Sequence, residues 1–404
     1  MNEPKLRFKA DDGSQFPDWE ECTINDIFKF FNGKAHENII CEDGEYIVVN
    51  SKFISTDGMV KKYTDKMIFP LKKNDIVMVM SDVPNGKAMS KCFLIDKDDK
   101  YTLNQRICCL RTKENSIFFI NQISRNKYFL RFDDGIKQTN LRKNDVLSCP
   151  VFRPCLPEQQ KIADFLSTID TVIAKQKETV SAWEERKKGV MQKLFSQEVR
   201  FKADDGSEFP DWEEKPYLSL CNVLTDGDWI ESKDQSDSGI RLIQTGNIGN
   251  GIFIDKGDKK KYISKETFDR LKCNEVFEGD ILISRLPSPA GRACIVPKLN
   301  ERMITAVDCT IVRTDKSIIS HDYCAQFMQS SKHFYYVASM MAGGTRQRIS
   351  RRNLEDELIS VPCLAEQRKI ADCLSSFDEV IEKQKATLSA WEELKKGLLQ
   401  QMFV

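Results

Sequence analysis

The sequence predicts an α+β protein in which two dissimilar domains are each followed by the same long helix. Two duplicated blocks support this prediction. Residues 7–21 recur at 200–214 with 14 of 15 positions identical, and residues 158–195 recur at 366–403 with 25 of 38 identical. The stretches between these blocks show no comparable similarity. A repeat of roughly 200 residues is far longer than that of a solenoid, so it indicates two whole domains.

The repeats divide the chain into four segments. These are a first domain at 1–154, a first conserved helix and spacer at 155–199, a second domain at 200–362 and a second conserved helix at 363–404. Within the domains, residues 75–81 and 279–284 are short apolar runs after turn residues, as is typical of buried strands. The stretch 320–341 has a more helical pattern, so we expect both domains to be mixed α+β.

The duplicated helical block carries a heptad pattern that predicts a coiled coil. Alternate steps of four and three residues give a mostly apolar seam in each copy. The seam of the first copy is Ile162, Leu166, Ile169, Ile173, Gln176, Val180, Trp183, Lys187, Val190 and Leu194. The seam of the second is Ile370, Leu374, Phe377, Ile381, Gln384, Leu388, Trp391, Lys395, Leu398 and Met402.

The polar interruptions of the seam favour an antiparallel pair of helices. A parallel pair would stack Lys187 on Lys395, which is unfavourable in a buried seam. An antiparallel pair can instead place Gln176 beside Lys395 and Lys187 beside Gln384, where each amide oxygen accepts a hydrogen bond. The two domains would then be related by a rough two-fold. The alternative is that each helix only covers its own domain.

Composition and motifs exclude several classes of protein. Lys plus Arg and Asp plus Glu are 61 each, so the net charge is zero and any anion binding must depend on local charge. No apolar run approaches the ~20 residues of a membrane span, and the start shows no signal peptide, so we expect a cytoplasmic protein without a membrane segment. The 14 cysteines form no C-x-x-C pair and only 3 histidines are present, which predicts reduced, mostly buried thiols and no metal site. Common nucleotide-binding and hydrolase motifs are absent, so no catalytic role is expected.

Loops rich in arginine and amide side chains are the remaining functional candidates. Residues 342–352 contain four arginines and no acid, and a G-x-[K/R]-Q pattern within them also occurs at 135–138. Arginine and glutamine can recognise guanine and adenine edges, and arginine or lysine also neutralises phosphate. For any single residue, an ordinary exposed turn is the alternative. The candidate DNA-binding residues are Asn104, Gln105, Arg106, Lys137, Gln138, Arg285, Arg292, Arg346, Gln347, Arg348, Arg351 and Arg352.

Together the motifs resemble the specificity subunit of type I restriction–modification systems. The resemblance rests on Phe-Pro-Asp-Trp-Glu at 16–20 and 209–213. It rests equally on Leu-x-Glu-Gln-x-Lys-Ile-Ala-Asp at 156–164 and 364–372, where each long helix begins. Both motif pairs occur in order, and the match covers the whole chain.

The resemblance implies a division of labour between this chain and its partners. Each divergent region would be a target recognition domain for one half of a bipartite site in double-stranded DNA. The helices would set the spacer and dock methyltransferase (M) subunits, through which motor-nuclease (R) subunits join. S-adenosylmethionine, ATP and Mg would act in those partners, with no cofactor bound by this chain.

On this interpretation the candidate residues divide into two groups. Phosphate contacts are expected from Lys137, Arg348, Arg351 and Arg352. Base contacts are expected from Asn104, Gln105, Arg106, Gln138, Arg285, Arg346 and Gln347. Loss of Arg351 should weaken binding to every sequence, whereas loss of Arg346 should relax the preference in one half-site. The competing hypothesis is a protein–protein scaffold of two binding domains on a helical strut, with no DNA role.

Overall fold

The computed structural model describes residues 4–83, 86, 88–133, 136–344 and 347–403. The chain folds as two compact units. The first contains the chain up to Lys177 together with the residues from Ala386 onward, and the second is Glu178–Lys385. The division therefore passes through both long helices, so each unit contains one mixed α+β domain and parts of both helices.

The first domain consists of short strands and helices. Its strands are β1 (Glu20–Thr23), β2 (Lys29–Asn32), β3 (Tyr46–Val49), β4 (Tyr63–Thr64), β5 (Ile76–Val79), β6 (Ser81–Asp82), β7 (Cys92–Leu94), β8 (Tyr101–Leu103), β9 (Ile107–Arg111), β10 (Thr139–Asn140) and β11 (Pro150–Arg153). Its helices are α1 (Ile24–Ile27), α2 (Ser51–Ser55), α3 (Ser116–Ile123), α4 (Lys127–Leu130) and α5 (Lys143–Leu147), and the long helix α6 (Leu156–Phe195) follows.

The second domain repeats this arrangement with longer connections. Its strands are β12 (Glu213–Pro216), β13 (Cys221–Asp226), β14 (Gln235–Ser236), β15 (Ile240–Ile243), β16 (Lys261–Ile263), β17 (Glu275–Val276), β18 (Ile281–Ser284), β19 (Ala293–Ile295), β20 (Met303–Thr305), β21 (Cys309–Thr314) and β22 (Leu358–Val361). Its helices are α7 (Lys265–Leu271), α8 (His321–Phe327), α9 (Ser331–Met340) and α10 (Arg351–Glu355), and the long helix α11 (Leu364–Met402) follows.

The two domains share three features of their sheet topology although their sequences differ. Each has an antiparallel four-stranded sheet, in the order β2-β9-β5-β7 in the first and β13-β21-β18-β19 in the second. Each also has a sheet with one parallel pair, β3 with β8 and β15 with β20. A third ladder pairs the first and last strands, β1 with β11 and β12 with β22. The duplication therefore includes the fold of the divergent regions.

The predicted buried strands lie at the centre of each four-stranded sheet. In β5, Ile76 and Met78 belong to one hydrophobic cluster while Val77 and Val79 belong to another. Successive side chains of a strand point to opposite faces, so an uninterrupted apolar run is expected where both faces are covered. The run at Ile281–Ser284 occupies the equivalent place in β18, which explains why neither sequence alternates between apolar and polar residues.

Each opening motif is held against the start of a long helix by a buried carboxylate. Arg7 Nε and Nη2 donate to the two carboxylate oxygens of Glu158 at 3.1 and 2.8 Å, and Trp19 Nε1 donates to Glu158 Oε2 at 3.0 Å. The Glu158 side chain is 0% exposed. The second copy repeats the cluster with Arg200, Trp212 and Glu366, at 3.0, 2.7 and 3.0 Å. We call these the two Arg–Glu–Trp clusters; all three residues of each cluster belong to the duplicated blocks.

Parts of both long helices pack in each unit. The start of α6, through Ile162 and Leu166, and the end of α11, through Met402, belong to the core of the first domain. In the second unit, the start of α11 and the end of α6, through Phe195, belong to that domain's core. Each helix thus does cover its own domain, as the alternative interpretation held, but it also pairs with the other helix.

The pairing is antiparallel in each unit, as predicted. In the first unit Asp170 pairs with Lys395 and Lys177 with Glu392, so residue numbers rise along α6 as they fall along α11. In the second unit Glu184 pairs with Lys385. Every position of the two predicted heptad seams is buried or half-buried, including Val180, Trp183, Leu388 and Trp391. The heptad pattern is therefore the coiled-coil seam.

The predicted register of the seam is wrong. Lys187 Nζ bonds the Asp378 carboxylate at 2.7 Å and Gln329 Oε1 at 3.1 Å, instead of Gln384. Lys395 Nζ bonds Asp170 at 2.5 Å, instead of Gln176. Both aspartates immediately follow a seam position and reach the lysine from its flank. A carboxylate neutralises the ammonium as well as accepting its hydrogen bond, so it is the stronger partner.

The two lysine–aspartate pairs predict unequal effects of the same substitution. Asp378→Asn should lower the free energy of unfolding by about 2 kcal/mol, because the side chain of Lys187 is only 9% exposed. Asp170→Asn is the matched variant and should cost less than about 1 kcal/mol, because Lys395 is 24% exposed. Urea unfolding of both variants measures the difference. Equal losses would contradict the assignment of Lys187 as the buried member.

Candidate nucleic-acid interface

In the first domain, several predicted side chains lie at the end of the sheet where β5 leaves it. Strand β10 pairs with β6, and Gln138 Nε2 donates to Ser81 Oγ at 2.6 Å across that ladder. Arg106, Ser81 and Asn140 line a concavity of about 220 Å³. Lys137, Gln138 and Asn140 line an adjacent one of about 460 Å³. The structure therefore brings Arg106, Lys137 and Gln138 to one place.

The three residues of the turn between β8 and β9 have different environments. Arg106 is exposed with a φ of 65°, and its side chain makes no hydrogen bond or ion pair within the described part of the chain. Gln105 is exposed and donates to the Glu37 carboxylate. The side-chain oxygen of Asn104 is buried without a hydrogen-bond partner among the described residues. Arg106 is the member of the turn most available to a ligand.

In the second domain, the described ends of the arginine-rich loop pair with each other just before α10. Backbone hydrogen bonds in both directions join Ala342 and Arg348, and the next residue, Ile349, is buried. Gln347, Arg348, Arg351 and Arg352 are exposed. Arg346 lies outside the described residues, so its predicted contact with a base is not placed.

The exposed arginines differ in how strongly the protein holds them. Arg351 Nε donates to Glu355 at 2.8 Å within α10. Arg348 Nη1 lies 3.6 Å from Asp308 Oδ1. Arg352 makes no side-chain contact to an acid among the residues that the structure describes. Among these three exposed arginines, Arg352 therefore has the least internal charge compensation.

Two predicted DNA-binding arginines have structural roles instead. Arg285 is 5% exposed, donates to the Val307 carbonyl at 2.6 Å and lies 3.3 Å from Asp226 Oδ1. Arg292 donates to four backbone carbonyls, those of Thr245, Ile248, Leu286 and Pro289. Because Arg285 is buried and every guanidinium nitrogen of Arg292 donates to a carbonyl, we withdraw both from the candidate contacts.

Arg292 nevertheless adds positive charge close to the loop. Burial lowers the pKa of its guanidinium, and no carboxylate contributes to the shift. The carbonyl groups around it solvate the cation but do not cancel its charge. We expect this to raise the local affinity for anions.

A buried histidine joins the segments on either side of the arginine-rich loop to the turn that contains Gly291. His333 Nδ1 lies 2.9 Å from both Glu357 oxygens, and its Nε2 lies 2.9 Å from the Gly291 carbonyl. Tyr336 Oη donates to the Asn353 carbonyl at 2.6 Å, which ties α9 to α10. The helix that presents Arg351 and Arg352 is therefore held to α9 by a hydrogen bond.

The thiols have the features of packing residues, with no disulfide among the 14. Burial raises the pKa of five of them to about 12, so these stay protonated near neutral pH and are poor nucleophiles. They are Cys108, Cys149, Cys294, Cys309 and Cys324. The described residues also contain no cluster of three metal-ligating side chains. Within the same residues, no helix is long and apolar enough to cross a membrane.

Three side chains at this site were missed by the sequence analysis. Asn140 and Arg142 line the first domain's concavities, and Asp308 lies between two arginines in the second. The offset of 208 between the helical blocks could have identified the first of them. It aligns Asn140 with Arg348 and Leu141 with Ile349, at equivalent distances from the following helix.

Comparison with known proteins identifies the family. A family model described as type I restriction modification DNA specificity domain matches twice, at residues 17–181 and 210–390. The chain belongs to this family. The resemblance inferred from the duplicated motifs is thereby confirmed.

Individual relatives match over nearly the whole chain. The type I restriction enzyme MjaVIII specificity subunit of Methanocaldococcus jannaschii is 23% identical, covering 97% of this chain and 94% of its own. A putative specificity subunit of Haemophilus influenzae, S.HindORF215P, is 23% identical over 69% of each chain. The S subunit structure from M. genitalium aligns with a TM-score of 0.58 at 17% identity, covering 100% and 99%. A chain from a structural study of type I complex assembly and conformational transition aligns at 0.53 and 15%, covering 96% and 98%. These structures share the fold of this chain.

Proposed function

We propose that the chain is the non-catalytic sequence-recognition subunit of a type I restriction–modification complex. Each domain recognises one half of a bipartite site in double-stranded DNA. The observation that carries this proposal is the repetition of one domain topology with different side chains at the same end of the sheet. A duplicated scaffold with divergent loops suits two different half-sites, because loops can change specificity without altering the core.

The proposed contacts are exposed side chains, apart from the half-buried Asn104 and from Arg346, which lies outside the described residues. Lys137, Arg348, Arg351 and Arg352 contact phosphates and position the domains on the duplex. The remaining proposed base contacts are Asn104, Gln105, Arg106, Gln138, Arg346 and Gln347. Arg285 and Arg292 support the second loop from inside the domain.

The long helices set the spacer between the half-sites and dock the methyltransferase subunits. Motor-nuclease subunits join through those partners. Adenine methylation with S-adenosylmethionine, and DNA cleavage driven by ATP with Mg, take place in the partner subunits. The seam buries the apolar side of each helix and leaves long polar faces for docking.

Mapping of methylated adenines tests the proposal directly. The full chain is expressed with its methyltransferase partner, and modified sites are sequenced. We expect two short specified words separated by a fixed stretch of unspecified bases. A continuous word would overturn the bipartite model. An absence of DNA binding by the assembled complex would favour a protein–protein scaffold.

Salt dependence tests the phosphate contacts separately. Arg352→Gln should weaken binding to every sequence and lower the slope of log affinity against log salt by about 0.9, the value for one phosphate contact. Arg302→Gln is the control. Arg302 lies just before β20, at the end of that strand away from Asp308, and it pairs with Glu275. A change in sequence preference for Arg352→Gln, with an unchanged slope, would contradict its assignment.

A further inference from the structure

Matching backbone hydrogen bonds identify equivalent positions of the two domains at the proposed interface. In the first domain, the amides of Met80, Gly33 and Leu141 donate to the carbonyls of Arg106, Ile107 and Met80 at 3.0 Å or less. In the second, the corresponding amides are those of Arg285, Gly227 and Ile349. They donate to Asp308, Cys309 and Arg285 at 2.9, 2.9 and 3.2 Å. Arg106 and Asp308 therefore occupy the same position.

Three neighbouring positions correspond in the same way. Asn32 corresponds to Asp226, since each precedes the matched glycine. Met80 corresponds to Arg285, and Asn140 corresponds to Arg348. The complete sets are Asn32, Met80, Arg106 and Asn140 in the first domain, and Asp226, Arg285, Asp308 and Arg348 in the second.

The two sets differ in charge. The first set contains one cation and no acid, and it lines the open concavity of about 220 Å³. In the second set, Arg285 lies between two acids, 3.3 Å from Asp226 Oδ1 and 4.0 Å from Asp308 Oδ1. Asp308 Oδ1 also lies 3.6 Å from Arg348 Nη1 and is buried without a hydrogen bond among the described residues. The second set is thus charge-balanced, and its exposed cation, Arg348, lies next to Asp308.

From this juxtaposition we propose that Arg106 and Asp308 determine the base that each domain accepts at one position of its half-site. Arg106 acts directly: its guanidinium group, which has no partner among the described residues, donates to the edge of a guanine beside the Asn140 amide. Asp308 is a positioning residue that orients Arg348 toward a base. Arg348, assigned above to phosphate, then contacts a base as well. This inference rests on the proposed recognition of a bipartite site and adds which residues set the preference.

The conformation of Arg106 agrees with a direct role. Its φ of 65° lies in the left-handed region, which disfavours side chains other than glycine, asparagine and aspartate. The turn therefore keeps an arginine where glycine, asparagine or aspartate would be less strained. For Asp308, a closer approach of Arg348 on DNA would satisfy the unpaired buried oxygen, so binding and orientation are coupled.

Methylation mapping of variants in the full complex tests the proposal. Arg106→Gln should reduce discrimination about tenfold at one base pair of one half-site and leave the other half-site unchanged. Asp308→Asn should do the same in the other half-site, and Asp308→Glu should restore the preference. Lys97→Gln, an exposed change in the turn between β7 and β8 at the opposite end of the sheet, is the control and should change neither.

A double-mutant comparison separates positioning from simple structural support. Because Asp308 acts through Arg348, Asp308→Asn should add nothing to the loss of preference caused by Arg348→Gln. The exposed Arg348 variant also keeps the test valid if Asp308→Asn fails to fold. Additive losses, or a uniform loss at all sequences, would overturn the inference while the wild type still methylates a bipartite site. A wild type that methylates no bipartite site would overturn the proposed function, and this inference with it.

Discussion

Arg7→Met is expected to lower the free energy of unfolding of the first unit by about 3 to 5 kcal/mol. The substitution leaves the Glu158 carboxylate fully buried, and among the described residues only the Trp19 indole remains as a side-chain donor to it. Removing one partner of a buried ion pair is strongly destabilising, because the remaining charge keeps its desolvation cost without the compensating attraction. Urea unfolding, followed by hydrogen exchange resolved by unit, measures the loss.

Removing the carboxylate instead of the arginine should cost less stability. Glu158→Gln removes the acid but keeps one acceptor oxygen, and the Arg7 side chain, at 16% exposure, remains partly hydrated. We expect about 1 to 2 kcal/mol. Lys9→Met, an exposed change in the same motif, should stay within about 0.5 kcal/mol.

The second copy supplies a matched experiment. Arg200→Met removes the equivalent donor from Glu366, whose side chain is also 0% exposed. It should destabilise the second unit by a similar amount while leaving hydrogen exchange in the first unit unchanged. A loss spread evenly over both units by either variant would show that the clusters do not act locally.

The sequence could not reveal these clusters, although it showed their residues. Arg7 and Glu158 are 151 positions apart. The duplicated blocks mark both as important, but no periodicity links a loop arginine to a distant helix. The seam was predictable because a heptad is a local pattern. Its register was not, because Asp170 and Asp378 lie beside the seam and the heptad positions alone do not include them.

The candidate interface was predictable only in part, for a similar reason. The arginine content of 342–352 indicated an exposed basic loop, and the structure places Arg348, Arg351 and Arg352 on the surface. Arg285 and Arg292 are also arginines in polar turns, yet Arg285 is buried and Arg292 is bonded to carbonyls from distant segments. Exposure depends on tertiary packing, which side-chain type does not encode.

The common topology of the domains was likewise hidden by their divergent sequences. A strand such as β5 or β18 requires only apolar residues of suitable size on both faces, and many sequences meet that condition. The backbone hydrogen bonds that align Arg106 with Asp308 do not depend on side-chain identity. Related positions can therefore carry opposite charges, which suits the proposed recognition of two different half-sites.

Lengthening both long helices by one heptad is expected to abolish methylation at the native spacing. Duplicating residues 174–180 and 382–388 lengthens the pair by ~10 Å, at 1.5 Å per residue, while a seven-residue insertion keeps the seam in phase. On DNA this corresponds to about three base pairs, at 3.4 Å each. A shift of that size also rotates one half-site around the duplex by more than a quarter of a turn, so the grooves no longer face both domains.

Three heptads in each helix should restore methylation at a longer spacing. That insertion adds ~31 Å, close to the ~34 to 36 Å of one DNA turn, so both half-sites again face the protein. We expect the two specified words to be unchanged and the gap to grow by about nine base pairs, as read by methylation mapping. Inserting the same residues into α6 alone is the control; it shifts the partners of Lys177 and Lys187 and should disrupt the helix pair. A native gap after the double three-heptad insertion would show that the helices do not set the spacer, because the words are recognised by domains that the insertion leaves intact.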